Sequence, residues 1–117
     1  MQFKPQLLEP NVFRPQGSLS AAVTDHFQQD LKAWLASASA DALVIDFAMV
    51  DFLDSSTLVV LVDAYKQTRQ AGKRLMLSGV SPELKIIFEL TQLDTVFAIY
   101  TTPDAAFESL NPVSMAA

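Results

Sequence analysis

The sequence predicts an α/β domain built on one mixed sheet, in which a short antiparallel lead-in precedes a β-α-β-α-β-α alternation with about four helices. Three observations carry this. Apolar, β-branched runs at 42–47, 74–77 and 96–100 have the length and composition of strands. The stretches between them repeat apolar residues at intervals of three and four, and two of those stretches open with Ser-Pro or Thr-Pro.

Pro5, Pro10, Pro15 and Gly17 punctuate the first part of the chain and leave two brief extended pieces, Gln6–Leu8 and Asn11–Arg14. Ser18 or Ser20 is placed to cap a first helix whose stripe is Val23, Phe27, Leu31, Trp34 and Leu35, ending near Ser37–Ser39. Ala42–Phe47 reads as the central strand, covered on both faces. Leu58, Leu61, Val62 and Tyr65 form the next helical stripe, which Gly72 stops, and Arg74–Leu77 is a second strand. Ser81-Pro82 opens a helix with Leu84, Ile87 and Phe88 inward, Val96–Tyr100 is a third inner strand, and Thr102-Pro103 opens a last helix with Phe107 and Leu110 inward. Residues 1–117 are thus expected to be a single domain, with 1–16 as N-terminal strands and 111–117 as a frayed tail.

Composition removes several classes of chemistry. There is no cysteine and only one histidine, His26, so thiol chemistry, cysteine zinc sites and His-rich metal centres are excluded. A formal charge of −5 opposes binding to a phosphate backbone. Three glycines form neither GxGxxG nor a Walker A loop, so no cofactor is expected. The N-terminal MQFKPQLLEP has no signal-peptide core and no apolar run approaches bilayer length, so a cytoplasmic protein without membrane insertion is the expectation.

Chemistry concentrates in Asp51-Phe52-Leu53-Asp54-Ser55-Ser56-Thr57-Leu58, where the central strand hands over to a helix, the usual place for a functional loop in an open α/β sheet. Asp54 or Ser55 can accept from the free N–H groups of the first turn, leaving the Ser56 hydroxyl at the positive helix end. The same tripeptide also makes an ordinary N-cap cluster. Asp46, Asp51 and Asp54 are similar in kind to a receiver-domain acidic pocket, but its earlier acidic pair and later lysine are missing from their places in the order. Serine hydrolysis lacks a G-x-S-x-G elbow, with His26 on the first helix as a partly exposed residue. Phe27 and Trp34 are read as core and Met49 and Met76 as packing residues, while Val59 and Val60 are either buried or partner-facing.

In ordered pieces from Gly17 to Leu110 the sequence resembles the STAS family, the sulphate transporter and anti-sigma factor antagonist domain. GSLS resembles the family's G-x-L-D turn; ALVIDFAMVDFLDSSTL is similar to its strand followed by V-D-F-x-D-S-S-G-L; AGKRLMLSGVSPELKIIFELTQLDTVFAIY resembles its G-x-x-L-x-L-x-x-x-S-P-x-V and L-T-G-L stretch. Thr57 stands where the family usually has glycine and Ser20 where it has aspartate.

The resemblance implies a non-enzymatic, STAS-like regulator that binds a serine-protein kinase anti-sigma factor, or a related regulator, while Ser56 is unmodified. It further implies that Ser56 is the phosphorylated residue, with Ser55 and Thr57 as alternative acceptors and a serine phosphatase as a possible second partner. Asp54, Ser55, Thr57, Val59 and Ser20 are the implied partner contacts. Two other readings stay open: a STAS subunit of a membrane transporter ATPase complex, in which Ser56 is only a cap and contact, and a small-ligand sensor with its pocket at the same loop.

Overall fold

The computed structural model describes residues 10–110. Strands β1 (Val12–Phe13), β2 (Gly17–Leu19), β3 (Ala42–Asp46), β4 (Val50–Leu53), β5 (Arg74–Ser78) and β6 (Ile99–Tyr100) alternate with helices α1 (Thr24–Ser37), α2 (Ser55–Gln70), α3 (Pro82–Leu90) and α4 (Pro103–Glu108), with 3-10 turns at Ala21–Val23 and Leu93–Thr95. The main sheet has the order β1-β3-β5-β6, and β2 pairs with β4 beside it. Every ladder among the described residues is parallel. Gln6–Leu8, on which the antiparallel pairing of the lead-in depended, and the tail at 111–117 lie outside the described residues.

β3 and β5 are buried on both faces, as their unbroken apolar runs require. Phe13, Leu43, Ile45, Leu75 and Leu77 join a core with Phe27 and Leu31 of α1, Leu58 and Leu61 of α2, and Leu84 and Phe88 of α3. On the other face Val12, Val44 and Met76 meet Ala106 of α4, with Phe107 and Leu110 packed partly buried around them. Leu43, Val44, Ile45 and Phe47 are wholly buried, each contributing ~1.5–3 kcal/mol. Phe27 is core and Trp34 half-buried, ring-stacked on Phe13 at 5.3 Å. His26 is exposed.

Three expectations are corrected. β6 is an edge strand of only Ile99–Tyr100, because Gln92 at φ 63 turns the chain into the 3-10 segment and Phe97 N–H still bonds back to Leu93 O. The segment after β3 is not a simple loop but contains β4. Its in-out-out-in burial, opposite a register shift between Gly17 and Ser18, hides the alternation that normally reveals a strand. Met49, expected to pack, is 60% exposed in the turn before β4.

At the carboxyl end of the sheet the buried Asp46 joins three segments. It accepts from Ser78 Oγ (3.1 Å), Ala48 N–H (3.2 Å) and Arg14 Nε (3.1 Å). Gly79 makes room for this: at φ +66, a Cβ there would fall 2.5 Å from Asp46 Oδ1 and 2.9 Å from Ala48 N.

Candidate functional site

Asp54, between β4 and α2, is the N-cap of α2 and does more than cap it. Its Oδ1 accepts from Ser56 N–H (3.1 Å), Thr57 N–H (3.3 Å) and Ser56 Oγ (2.6 Å), and its Oδ2 accepts from Ala21 N–H at 2.7 Å. One carboxylate therefore ties the start of α2 to the turn that leads into α1, 33 residues earlier. The Ser56 hydroxyl, followed by N–H groups of Thr57 and Ala21, holds the Asp54 carboxyl below its ordinary value; partial desolvation opposes them.

Ser20 was expected to supply a cap, yet its side chain makes no cap bond and Asp54 takes that place. Ser18 is turned to Asp51, donating to Oδ1 at 2.9 Å across the β2–β4 pair. Asp46, Asp51 and Asp54 thus serve three separate partners and form no common acidic pocket.

Ser56 is half-buried, and its hydroxyl proton points to Asp54. Its oxygen lies 2.9 Å from Thr24 Oγ1, whose own proton has Ser20 O as a second acceptor at 3.0 Å. With the Ser56 proton on Asp54, Thr24 is the donor in that pair. Ser56 is thereby fixed between both helix starts. Thr24 carried no sequence signal, because its role depends on a contact 32 residues away.

Ser55 is exposed beside it, and Val59, one turn on, is 67% exposed while Val60 is buried. Phe52, on the outer side of β4, is 47% exposed. Ser55 and Val59 border a groove of about 450 Å³ between α2 and the exit of α3, with Val62, Lys66, Thr91 and Leu93. Thr57 is different: it is fully buried and its hydroxyl donates to Leu19 O at 2.6 Å. It is therefore neither an accessible phospho-acceptor nor a partner contact, which corrects both expectations. A cavity of about 620 Å³ opens elsewhere, between the lead-in and α1, where Trp34 Nε1 donates to Pro10 O at 2.8 Å.

The STAS domain profile matches residues 4–106. The chain belongs to the STAS domain family. Among characterised relatives, the anti-sigma-B factor antagonist of Listeria monocytogenes is 40% identical over 57 residues, 49% of this chain and 50% of the relative. The chain spans about half the length of that relative. An anti-sigma factor antagonist from Mycobacterium paratuberculosis has the same architecture, with a TM-score of 0.76 at 28% identity over 85% of this chain and 83% of that one. The phosphorylated form of SpoIIAA, a Bacillus cell-fate determinant, shares the fold at TM-score 0.63 and 17% identity, over 86% of this chain and 89% of the other. None of the described helices of this STAS domain is long and apolar enough to cross a membrane.

Proposed function

We propose that this STAS domain is a phosphorylation-switched binding module of the anti-sigma factor antagonist kind, which engages a serine-kinase anti-sigma factor or related regulator while Ser56 is unmodified. The observation that carries the reading is the Ser56 hydroxyl, held by Asp54 and Thr24 in the first turn of α2 beside exposed Ser55 and Val59. A relative of the same fold known in a phosphorylated form supports it.

The effect of phosphate is electrostatic and local. Ser56 and Thr57 N–H are already bonded to Asp54, so an incoming phosphate, carrying about −1.5 to −2 charges, must turn outward toward Ser55 and Val59. There it meets the docked partner. Against a partner carboxylate about 6 Å away, two negative charges cost ~1.4 kcal/mol at water's dielectric and ~5.5 kcal/mol at an effective value near 20. That is a tenfold loss of affinity at the least. No movement of the fold is needed, and the domain supplies no catalysis of its own.

The test uses Ser56→Ala and Ser56→Asp against the kinase co-purified with the chain. Ala is expected to keep binding and lose phosphorylation, whereas Asp weakens binding with the fold intact. Phosphoprotein mass spectrometry and calorimetric titration read both. An unmodified Ser56 together with equal affinities for the two variants would sink the proposal, and phosphate on Ser55 would move the acceptor by one residue.

A further inference from the structure

The edge of the main sheet is incomplete where β5 begins. β6 pairs with Leu77 and Ser78 only, so Arg74–Met76 have β3 on one side and no strand on the other among the described residues. The notch so formed is a cavity of about 400 Å³ bordered by Tyr65, Arg69, Lys73, Arg74, Val96 and Tyr100. Its volume lies in the range of small-molecule sites, ~300–1,000 Å³. What lines it is unexpected for this chain. The protein has a formal charge of −5 and eight lysines and arginines, yet three of those eight converge here and no carboxylate among the described residues lines the cavity.

The polar groups are also positioned. Arg69 Nη1 donates to Tyr65 Oη at 3.2 Å and its guanidinium sits 5.9 Å from the Tyr65 ring centroid. Lys73 Nζ donates to Ala38 O at 2.8 Å, which holds the ammonium in place and leaves two of its three donors free. Arg74 is exposed, and its guanidinium makes no hydrogen bond or ion pair among the described residues. Tyr65 accepts from Arg69 and so keeps its own hydroxyl proton to donate, whereas the single proton of Ser109 goes to Ala106 O at 2.7 Å and the Tyr100 hydroxyl, 3.0 Å away, is spent on Ser109 Oγ. The cavity thus offers cations and one O–H donor. The carboxyl end of α2 contributes a partial charge of about −0.5, which three full positive charges outweigh.

We infer that this notch is a binding site for a phosphate-bearing anion, either a free phosphate ester or an anionic lipid headgroup. Arg69 and Arg74 offer paired donors matched to phosphate oxygens, Lys73 adds a point charge, and the Tyr65 hydroxyl completes the shell. The site lies at the opposite end of α2 from Ser56, roughly 20 Å away at 1.5 Å per residue. Its occupancy does not depend on the state of Ser56.

The test titrates the isotopically labelled full chain with inorganic phosphate, followed by NMR against sodium chloride at matched ionic strength. Saturable shifts are expected at Arg69, Lys73, Arg74 and Val96, and the same in Ser56→Ala. Arg69→Gln and Arg74→Gln each weaken the affinity about tenfold, whereas Lys85→Gln on α3 leaves it unchanged. Co-sedimentation with phosphatidylglycerol vesicles, and with phosphatidylcholine as control, identifies the source. Sedimentation with the anionic vesicles that is lost in Arg74→Gln points to a headgroup, and phosphate binding without sedimentation points to a free ester. Shifts that spread evenly over all lysines and arginines, or that survive when Arg69→Gln and Arg74→Gln are combined in one chain with unchanged circular dichroism, would overturn the site and leave these residues as a solvated cationic face at a helix end.

Discussion

Ser56 Oγ donates to Asp54 Oδ1 at 2.6 Å, so the residue proposed to carry the switch is bonded to the carboxylate that ties the starts of α1 and α2 together. Any modification of Ser56 removes that donor. The same bond links the site to acid stability.

Asp54 is held below its ordinary value of 3.8, with the Ser56 hydroxyl as the largest cause. A carboxyl with a depressed folded value stabilises the native state above its unfolded value, and that contribution is lost as pH falls through the depressed one. Ser56→Ala is therefore expected to raise the Asp54 value toward 3.8 and to move the acid limb of stability to higher pH. Carbon-13 titration of the Asp54 carboxyl and urea midpoints across the acid range read the two effects. An Asp54 value unchanged in the variant would mean that the backbone N–H groups alone hold it.

Thr57 yields a second prediction. Its buried hydroxyl donates to Leu19 O, which also accepts from Asp54 N–H at 3.3 Å. Thr57→Val thus removes one bond without orphaning the carbonyl, an expected loss of ~1 kcal/mol. Thr57→Gly, which brings back the family's usual residue, adds an empty methyl site and a glycine inside a helix, for a total of ~2–3 kcal/mol. Urea denaturation is expected to rank the wild type above Val and Val above Gly. A glycine variant as stable as the wild type would show that the first turn of α2 closes over the gap.

These residues also mark how far the sequence could be read. The strands at 42–47 and 74–77, the stripe of α1 and the caps at Ser81 and Thr102 depend on neighbours within a few positions, and the structure has them: Ser81 accepts from Leu84 N–H and Thr102 from Ala105 N–H. Asp54 was legible as a cap of α2 for the same reason. Its second role at Ala21, the Thr24–Ser56 contact and the burial of Thr57 under Leu19 all join segments more than 30 residues apart. No local pattern encodes such pairs. β4 was missed because a register shift opposite it replaces simple alternation, and Met49 because a methionine next to a strand looks the same whether it faces core or water.

Val59 separates the binding face from the fold. At 67% exposed it contributes little to the core, while Val60 and Leu61 beside it are only 7% and 0% exposed. A charge at 59 can remain hydrated in the free protein, so Val59→Asp is expected to change stability by no more than about 0.5 kcal/mol. In the complex the same carboxylate would be pressed against the partner next to Ser56, removed from water and unpaired, a cost of ~2 kcal/mol or more. Affinity is then expected to fall at least about tenfold with Ser56 unmodified. Leu61→Asp is the contrasting variant, since it unfolds the chain whatever the partner does. Calorimetric titration beside thermal denaturation distinguishes them. Val59→Asp with wild-type stability and undiminished affinity would place the partner on another face of the domain, even if Ser56 proves to be phosphorylated.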